Sequence, residues 1–236
     1  MKIWKLLTVP VLVIVAVSSA FGQGATSHVF PQVADGVMSD GSAFISFVSI
    51  TNLNNVTNSC TVTSVGVPAD RFGASLTQSL PAYSTFMTST KGQSAFASGY
   101  VVLNCSQPVQ AMAMYALISP QGQTLGMASV PSAPSASYAT FPGLTGIGLQ
   151  YGVAIANPSS AAISVEVGIN QAGKYTSKTI TIPTRGRFVG FVDSLVNVGS
   201  TPAFSIFEFT SNSQFNLTAL VFDGAVFSTI IPAVLP

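Results

Sequence analysis

The chain has 236 residues, 48% of them apolar and only 6% charged, with 8 Lys/Arg against 7 Asp/Glu and a single histidine. So much apolar content excludes a disordered chain, and a charge share far below the typical about 25% leaves Ser, Thr, Asn, Gln and Gly to cover the surface. A balance this close to neutral excludes electrostatic recruitment of nucleic acid or anionic lipid.

Residues 1–22 read as a signal peptide: Lys2 and Lys5, then the apolar run Leu6 to Val17 broken by Thr8 and Pro10, then the small residues Ser18, Ser19 and Ala20. The run is shorter than the roughly 20 residues a spanning helix needs. Cleavage is therefore expected after Ala20 or, preferably, after Gly22, leaving no stable membrane span. No cysteine follows the cleavage region to carry a lipid anchor. The expected address is secreted, extracellular or cell-surface, with the periplasm as the other compartment that fits.

After the leader come short apolar alternations separated by turn residues, with hardly any helical periodicity, which predicts an all-β chain. His28 stands just behind the cleavage region, where termini tend to be mobile, and is expected to be an ordinary surface histidine. Asp35-Gly-Val-Met-Ser-Asp40-Gly offers spaced oxygens to a hard cation but lacks a third acidic ligand and a closing Glu. A plain glycine-rich turn is expected there, and no metal. Cys60-Thr-Val62 puts its cysteine on the apolar side of a strand, and Val101, Leu103 and Cys105 share one face. In an oxidising compartment this predicts a Cys60–Cys105 disulfide inside the first half of the chain.

The prolines and small residues of Val130-Pro-Ser-Ala-Pro-Ser-Ala-Ser137 read as a linker or an extended crossover. Beyond it, Ile163-Ser-Val165-Glu-Val167-Gly-Ile169 has apolar odd positions, the pattern of a half-buried strand. Thr179-Ile-Thr-Ile182 alternates likewise and ends at Pro183, which has no donor for a ladder.

The two halves match each other. Ser49-Ile-Thr-Asn-Leu53 followed by Cys60-Thr-Val62 aligns with Ala154-Ile-Ala-Asn-Pro158 followed by Val165-Glu-Val167. Leu80-Pro81 aligns with Ile182-Pro183, Val101 to Tyr115 with Phe207 to Val221, and Phe30-Pro31 with Phe141-Pro142. An offset of about 105 residues is the size of one immunoglobulin-like sandwich of some seven strands. The expected organisation is two tandem immunoglobulin-like β-sandwich repeats after the signal peptide, residues 23–130 and 131–236, joined near 130–137. An outer-membrane barrel would need uninterrupted strands of about 9–11 residues, and prolines at 81, 108, 131, 134, 142, 158 and 183 argue against it.

The opening Phe30-Pro-Gln-Val-Ala-Asp-Gly36, the strand ends Thr51-Asn52 and Ala156-Asn157, the Leu80-Pro81 and Ile182-Pro183 steps, and Phe227-Ser-Thr-Ile-Ile-Pro232 carry a likeness over most of residues 28–236. On these motifs the chain resembles a group of uncharacterised secreted bacterial proteins built from β-sandwich repeats of roughly 100 residues. That group commonly opens its first strand with a glycine-rich segment containing Trp, where this chain has Val37-Met-Ser-Asp-Gly-Ser42. The resemblance implies a fold and an extracellular address.

No catalytic constellation stands out, and the chain is expected not to be an enzyme and to need no cofactor. A hydrolytic triad would have to use His28, and there is no Gly-x-Ser-x-Gly elbow; Gly92-Gln-Ser94 is an ordinary turn. Glu166 and Glu208 read as polar-face residues, while Asp193 and Asp223 flank turns. Tyr83, Tyr100, Tyr138, Tyr151 and Tyr175 are the aromatic candidates for sugar contact once Trp4 has left with the leader. Tyr100 and Tyr151 read as packing residues, which leaves Tyr138 and Tyr175 as candidate ligand contacts. The expected function is a non-catalytic structural or interaction protein of the cell surface, matrix or an appendage. Its expected partner is itself or another surface protein. The alternative is a carbohydrate-binding β-sandwich whose partner is a glycan. Lysines that guard edge strands are scarce, with Lys91, Lys174 and Lys178 left after the leader, which favours self-association. Residues His28 to Ala34 are suited either to adding to a neighbour's sheet or, as sequential strands usually do, to pairing within their own repeat.

Overall fold

The computed structural model describes residues 24–72, 77–224 and 226–235. The leader and its cleavage site lie outside them. Seven strands build the first repeat: β1 (Ala25–Val37), β2 (Ala43–Asn52), β3 (Asn58–Val65), β4 (Thr77–Leu80), β5 (Thr85–Ser89), β6 (Ala97–Ile118) and β7 (Thr124–Pro131). The second repeats the series as β8 (Ser135–Thr145), β9 (Gln150–Ala156), β10 (Ile163–Gln171), β11 (Lys174–Ile182), β12 (Arg187–Phe191), β13 (Ala203–Asp223) and β14 (Val226–Ile230), and adds β15 (Ala233–Leu235). The chain is thus all-β, two tandem β-sandwich repeats.

One long strand in each repeat serves both layers of its sandwich. The first part of β6 pairs with β1 and, through Tyr100–Cys105, with β3, whereas Val109–Ile118 pairs with β2 and β7. In the second repeat β13 pairs with β10 up to Ser211 and, across a register shift, with β8 up to Asn216, then with β9 from Asn216 and with β14 from Ala219. The switch falls at Ser106-Gln-Pro108 in β6 and at a register shift between Thr210 and Phe215 in β13. Prolines therefore do not cut the chain as finely as the sequence suggests. Pro108 sits where β6 leaves one layer for the other, and Pro142 lies in β8 beyond the last residue that β15 pairs, Thr140, so neither interrupts a ladder on both sides.

Each sandwich buries its own core. Phe30, Val48, Ile50, Val62, Leu103 and Phe72 fill the first. In the second, Phe141, Tyr151 and Phe207 stack closely, with ring centroids 5.0 Å apart for Phe141–Phe207 and 4.6 Å for Tyr151–Phe207. Cys60 and Cys105 are direct cross-strand partners of β3 and β6 and form a disulfide. Val165 faces Ser211 at the corresponding place in the second repeat, which has no such bond.

The recurring Asn and Leu/Ile-Pro motifs meet in space. Asn52, fully buried, donates its amide to the carbonyls of Val56, Leu80 and Pro81 at 2.8, 3.2 and 2.9 Å. Asn157 does the same to Ala161, Ile182 and Pro183 at 2.8, 3.3 and 2.9 Å. Each amide ties the turn after the second strand of its repeat to the end of the fourth. The Pro81 and Pro183 carbonyls also accept the N–H groups of Ser84 and Gly186, so in both repeats the asparagine and the turn after the Leu/Ile-Pro step share one hydrogen-bonded corner, which is why the two motifs recur together.

Each repeat also closes its own first edge. Ala133, just past β7, bridges to Val29 and donates its N–H to that residue's carbonyl at 2.8 Å. In the second repeat β15 lies along β8, with Ala233 opposite Thr140. The stretch read as a linker is thus paired structure for most of its length: Val130 and Pro131 end β7, and Ser135 begins β8. The segment His28 to Ala34 pairs with β6 of its own repeat and is not a free donor strand. His28 is buried rather than a surface residue of a mobile terminus. Its Nε2 lies 3.0 Å from the carbonyls of both Ala25 and Val109, its Nδ1 lies 2.9 Å from Ser132 Oγ, and burial lowers its pKa. β1 already starts at Ala25, so the ring is clamped between strands.

The second repeat turns the outer face of its β12–β9–β13–β14 layer toward the first. Thr229 Oγ1 donates to Ser129 O at 2.7 Å and Asn216 Nδ2 to Ala133 O at 2.9 Å. Tyr115, Val130 and Phe227 form an apolar cluster across the junction, with Leu220 and Phe222 packed against it.

Candidate functional site

Residues singled out from the sequence as chemical candidates mostly hold the fold. Asp35, 1% exposed, pairs with Arg71 at 3.1 Å and accepts the Gly92 N–H at 2.8 Å. Asp40 accepts from Ser42 N at 3.0 Å and Ser42 Oγ at 2.6 Å, bonds that lower its pKa and close a tight turn in which Gly41 has φ +83°. Asp193 sits in a short helical turn, Val192–Ser194, where burial raises its pKa. Among the described residues no three His, Cys, Asp or Glu side chains converge as metal ligands. Tyr100 and Tyr151 are buried, and Tyr151 exchanges hydrogen bonds with both backbone groups of Leu144.

Tyr138 and Tyr175 stand on one sheet face with the two glutamates between them. The β11–β10–β13–β8 register places Thr179, Glu166, Thr210 and Tyr138 in one outward row and Ser177, Gly168, Glu208 and Thr140 in the next. Tyr175 donates its hydroxyl to Glu166 Oε1 at 3.1 Å, and its ring lies over Gly168, where any Cβ would collide with it. Partial burial and then the bond to Glu166, with the charges of Glu166 and Glu208 nearby, push the Tyr175 hydroxyl up to about 12. It therefore remains a proton donor at any physiological pH. Tyr138 and Tyr175 lie on strands three apart, about 14 Å across the sheet at the usual spacing, and in different rows along it, since Tyr175 aligns with Pro142 of β8. The face offers two aromatic rings and two carboxylates on a flat, rigid support.

A second surface was not legible from the sequence. Met87 on β5, Met112 and Met114 on β6 and Met127 on β7 all project from the outer face of the first repeat's β5–β2–β6–β7 layer. Met87 is 61% exposed and Met127 59%. The repeat correspondence gives this face its meaning. Met87, Met112, Met114 and Met127 occupy the places of Val189, Thr218, Leu220 and Phe227, the residues by which the second repeat faces the first. In the second repeat Leu144, Ile147 and Phe204 are exposed.

The third feature is a cavity of about 410 Å³ between the repeats. Its floor includes the small outward-facing residues Gly152 and Ala154 of β9, and the opposite wall carries Gln32, Phe44 and Tyr115 from the first repeat. Tyr115, which was not among the aromatic candidates, is wholly enclosed there and donates its hydroxyl to the Gln32 carbonyl.

Fold and surfaces together define a tandem β-sandwich protein stapled by one disulfide, a bond that fits an oxidising extracellular or periplasmic environment. Among the described residues no helix is long and apolar enough to cross a membrane. No family model matches the chain, and no curated protein matches it. Among solved structures it is similar to the N-terminal CBM22-1–CBM22-2 tandem domain of Xyn10C from Paenibacillus barcinonensis. The identity is 10% over 77% of this chain and 78% of that one, with a TM-score of 0.18. A likeness at that level carries no argument.

Proposed function

We propose that the protein is a secreted, non-catalytic structural module that assembles head to tail with copies of itself through the methionine face of its first repeat. The observation that carries this reading is the equivalence of that face to the one the second repeat turns toward the first within a single chain. Methionine side chains are flexible and polarisable, suited to mating with a surface that is not their own mirror image. A contact that joins one face to a different one propagates instead of closing, unless its rotation forms a ring. The exposed Leu144, Ile147 and Phe204 of the second repeat supply an apolar counterpart. The scarcity of charge removes the repulsion that keeps most secreted proteins apart. Light scattering over a dilution series is expected to show mass rising with concentration. Met87→Lys with Met127→Lys is expected to weaken assembly more than tenfold while leaving the melting temperature unchanged, because both side chains are exposed. A monomer at every concentration would overturn the reading.

Carbohydrate binding is the second reading, favoured by the Tyr138, Tyr175, Glu166 and Glu208 face. Sugar rings stack on aromatic faces, and the two carboxylates accept from hydroxyls. A glycan array is expected to identify a ligand whose affinity falls about tenfold, the equivalent of ~1.4 kcal/mol, in Tyr175→Ala. An array without a hit, or a hit indifferent to that substitution, removes this reading.

A further inference from the structure

We propose that copies of the protein join by the same rotation and translation that relates the two repeats, so that the first repeat of one copy seats on the second repeat of its neighbour as the second repeat seats on the first within a chain. The inference rests on the assembly reading and adds to it the mating surface and its register.

The strand pairings fix which positions correspond. Ala34 opposite Ser98 in β1 and β6 becomes Leu144 opposite Phe204 in β8 and β13, and Tyr115 opposite Ser46 becomes Val221 opposite Tyr151. Within the chain these first-repeat positions receive the second repeat: Ser98 Oγ accepts from Arg187 Nη2 at 2.6 Å, and Ala34 and Tyr115 line the space beneath the docked layer. Two of the receiving positions therefore return in the second repeat as solvated apolar side chains, Leu144 at 50% and Phe204 at 63% exposure.

Side-chain sizes are exchanged between the two junctions. Inside the chain Gly152 and Ala154 stand across from Phe44, Phe96 and Tyr115, and a cavity is left between them. On the free face of the first repeat Phe47 holds the place of Gly152, each lying opposite the corresponding residue of the long strand, Met114 or Leu220. The same register puts Leu149, Pro202 and Val221 in the places of the three rings. A larger residue on the docking face thus meets smaller ones on the receiving end, the volume-conserving exchange that a close-packed contact tolerates.

Hydrogen-bonding groups transfer as well. Asn216 donates its amide to the Ala133 carbonyl and Thr229 its hydroxyl to the Ser129 carbonyl. Their places on the free face hold Gln110, again a carboxamide, and Ser129, again a hydroxyl, and the accepting carbonyls become those of Ala233 and Thr229. Where Arg187 bonds Ser98 within the chain, the corresponding pair between copies is Thr85 and Phe204. Donor and acceptor are lost together there, and the Thr85 hydroxyl is already bonded to Thr51 at 3.0 Å, so no polar group is stranded. The contact joins unlike faces, so it propagates.

Mixed single-cysteine variants test the register. Gln110→Cys and Ala233→Cys chains, combined and treated with a short bismaleimide, are expected to give crosslinked dimers at least tenfold more abundant than either variant alone. Cys60 and Cys105 are held in their disulfide and do not react. Phe204→Asp is expected to weaken assembly at least tenfold in light scattering with an unchanged melting temperature, since the side chain is exposed. Concentration-dependent assembly without the mixed crosslink, or with Gln110→Cys linked chiefly to itself as paired methionine faces would give, overturns this mode and leaves the assembly reading standing. Assembly indifferent to Phe204→Asp does the same. A monomer at every concentration overturns both.

Discussion

Replacing Cys60 by Val and Cys105 by Ser is expected to lower the melting transition of the first repeat by on the order of 20 °C and to leave that of the second nearly unmoved. The double substitution installs in the first repeat the Val165–Ser211 pair that already faces across β10 and β13 in the second, so it removes the covalent bond without introducing a residue foreign to the position. The closed loop spans 45 residues. In the chain-entropy account a loop of that length restricts the unfolded state by roughly 4 kcal/mol. A domain of this size loses about 4–8 °C per kcal/mol. Hydrogen exchange read peptide by peptide during a thermal ramp separates the two repeats, with β2 and β6 reporting on the first and β9 and β13 on the second. Coincident loss of protection in both repeats, at the wild-type temperature, would show that the bond does not restrain the first repeat's unfolded chain.

Asn157→Ala is expected to destabilise the second repeat by about 2 kcal/mol, since the two N–H groups of its amide, shared among the carbonyls of Ala161, Ile182 and Pro183, are lost at roughly 0.5–1.5 kcal/mol each. Asn157→Asp separates hydrogen bonding from packing. It keeps the shape but replaces the donating amide with a carboxylate oxygen aimed at the carbonyls of Ala161, Ile182 and Pro183, so it is expected to be at least as damaging as the alanine. Denaturant unfolding measures both. The same substitutions at Asn52 are expected to cost a similar amount, but that repeat keeps its disulfide and remains folded at a higher temperature. If Asn157→Asp proves neutral, the amide is not the clamp.

Local signals were legible in the sequence because they are local. Strand alternation in β10 and β11 and the inward aspect of Cys60 can each be read from a dozen neighbouring residues, and the approximate period of the repeat from matching such short stretches between the two halves. The Asn and Leu/Ile-Pro motifs were visible as a likeness between halves, but their meaning was not. Nothing in Asn52 or Leu80 taken singly says that 28 residues of chain fold back to put one amide against the other's carbonyl. The long strands were missed for a physical reason, since a proline is a reliable terminator only where both edges of a strand are paired, and Pro108 and Pro142 sit where one edge is free. Tyr138 and Tyr175 were identified by their polar surroundings, whereas the placing of Glu166 and Glu208 between them depends on the order β11–β10–β13–β8. The methionine face was illegible because its members come from three strands, and each alone resembles an ordinary gap-filler. The cavity was illegible because glycine and alanine in a strand announce weak packing, and only the opposing repeat turns that weakness into space.

The bridge from Ala133 to Val29 and the pairing of β15 along β8 also bear on how such a protein changes length over generations. Each unit carries, at its end, the segment that seals its own beginning, so the unit of duplication is a closed one. Inserting or deleting a whole repeat at the 133–135 junction leaves every first strand covered by its own tail, while a cut a few residues earlier, inside β7, strips the tail from one repeat and bares the edge of β1. Variation in copy number by whole multiples of about 100 residues is thus the change this architecture tolerates, and a stretch of Pro, Ser and Ala that resembles a dispensable spacer is the part of the repeat that a truncation can least do without.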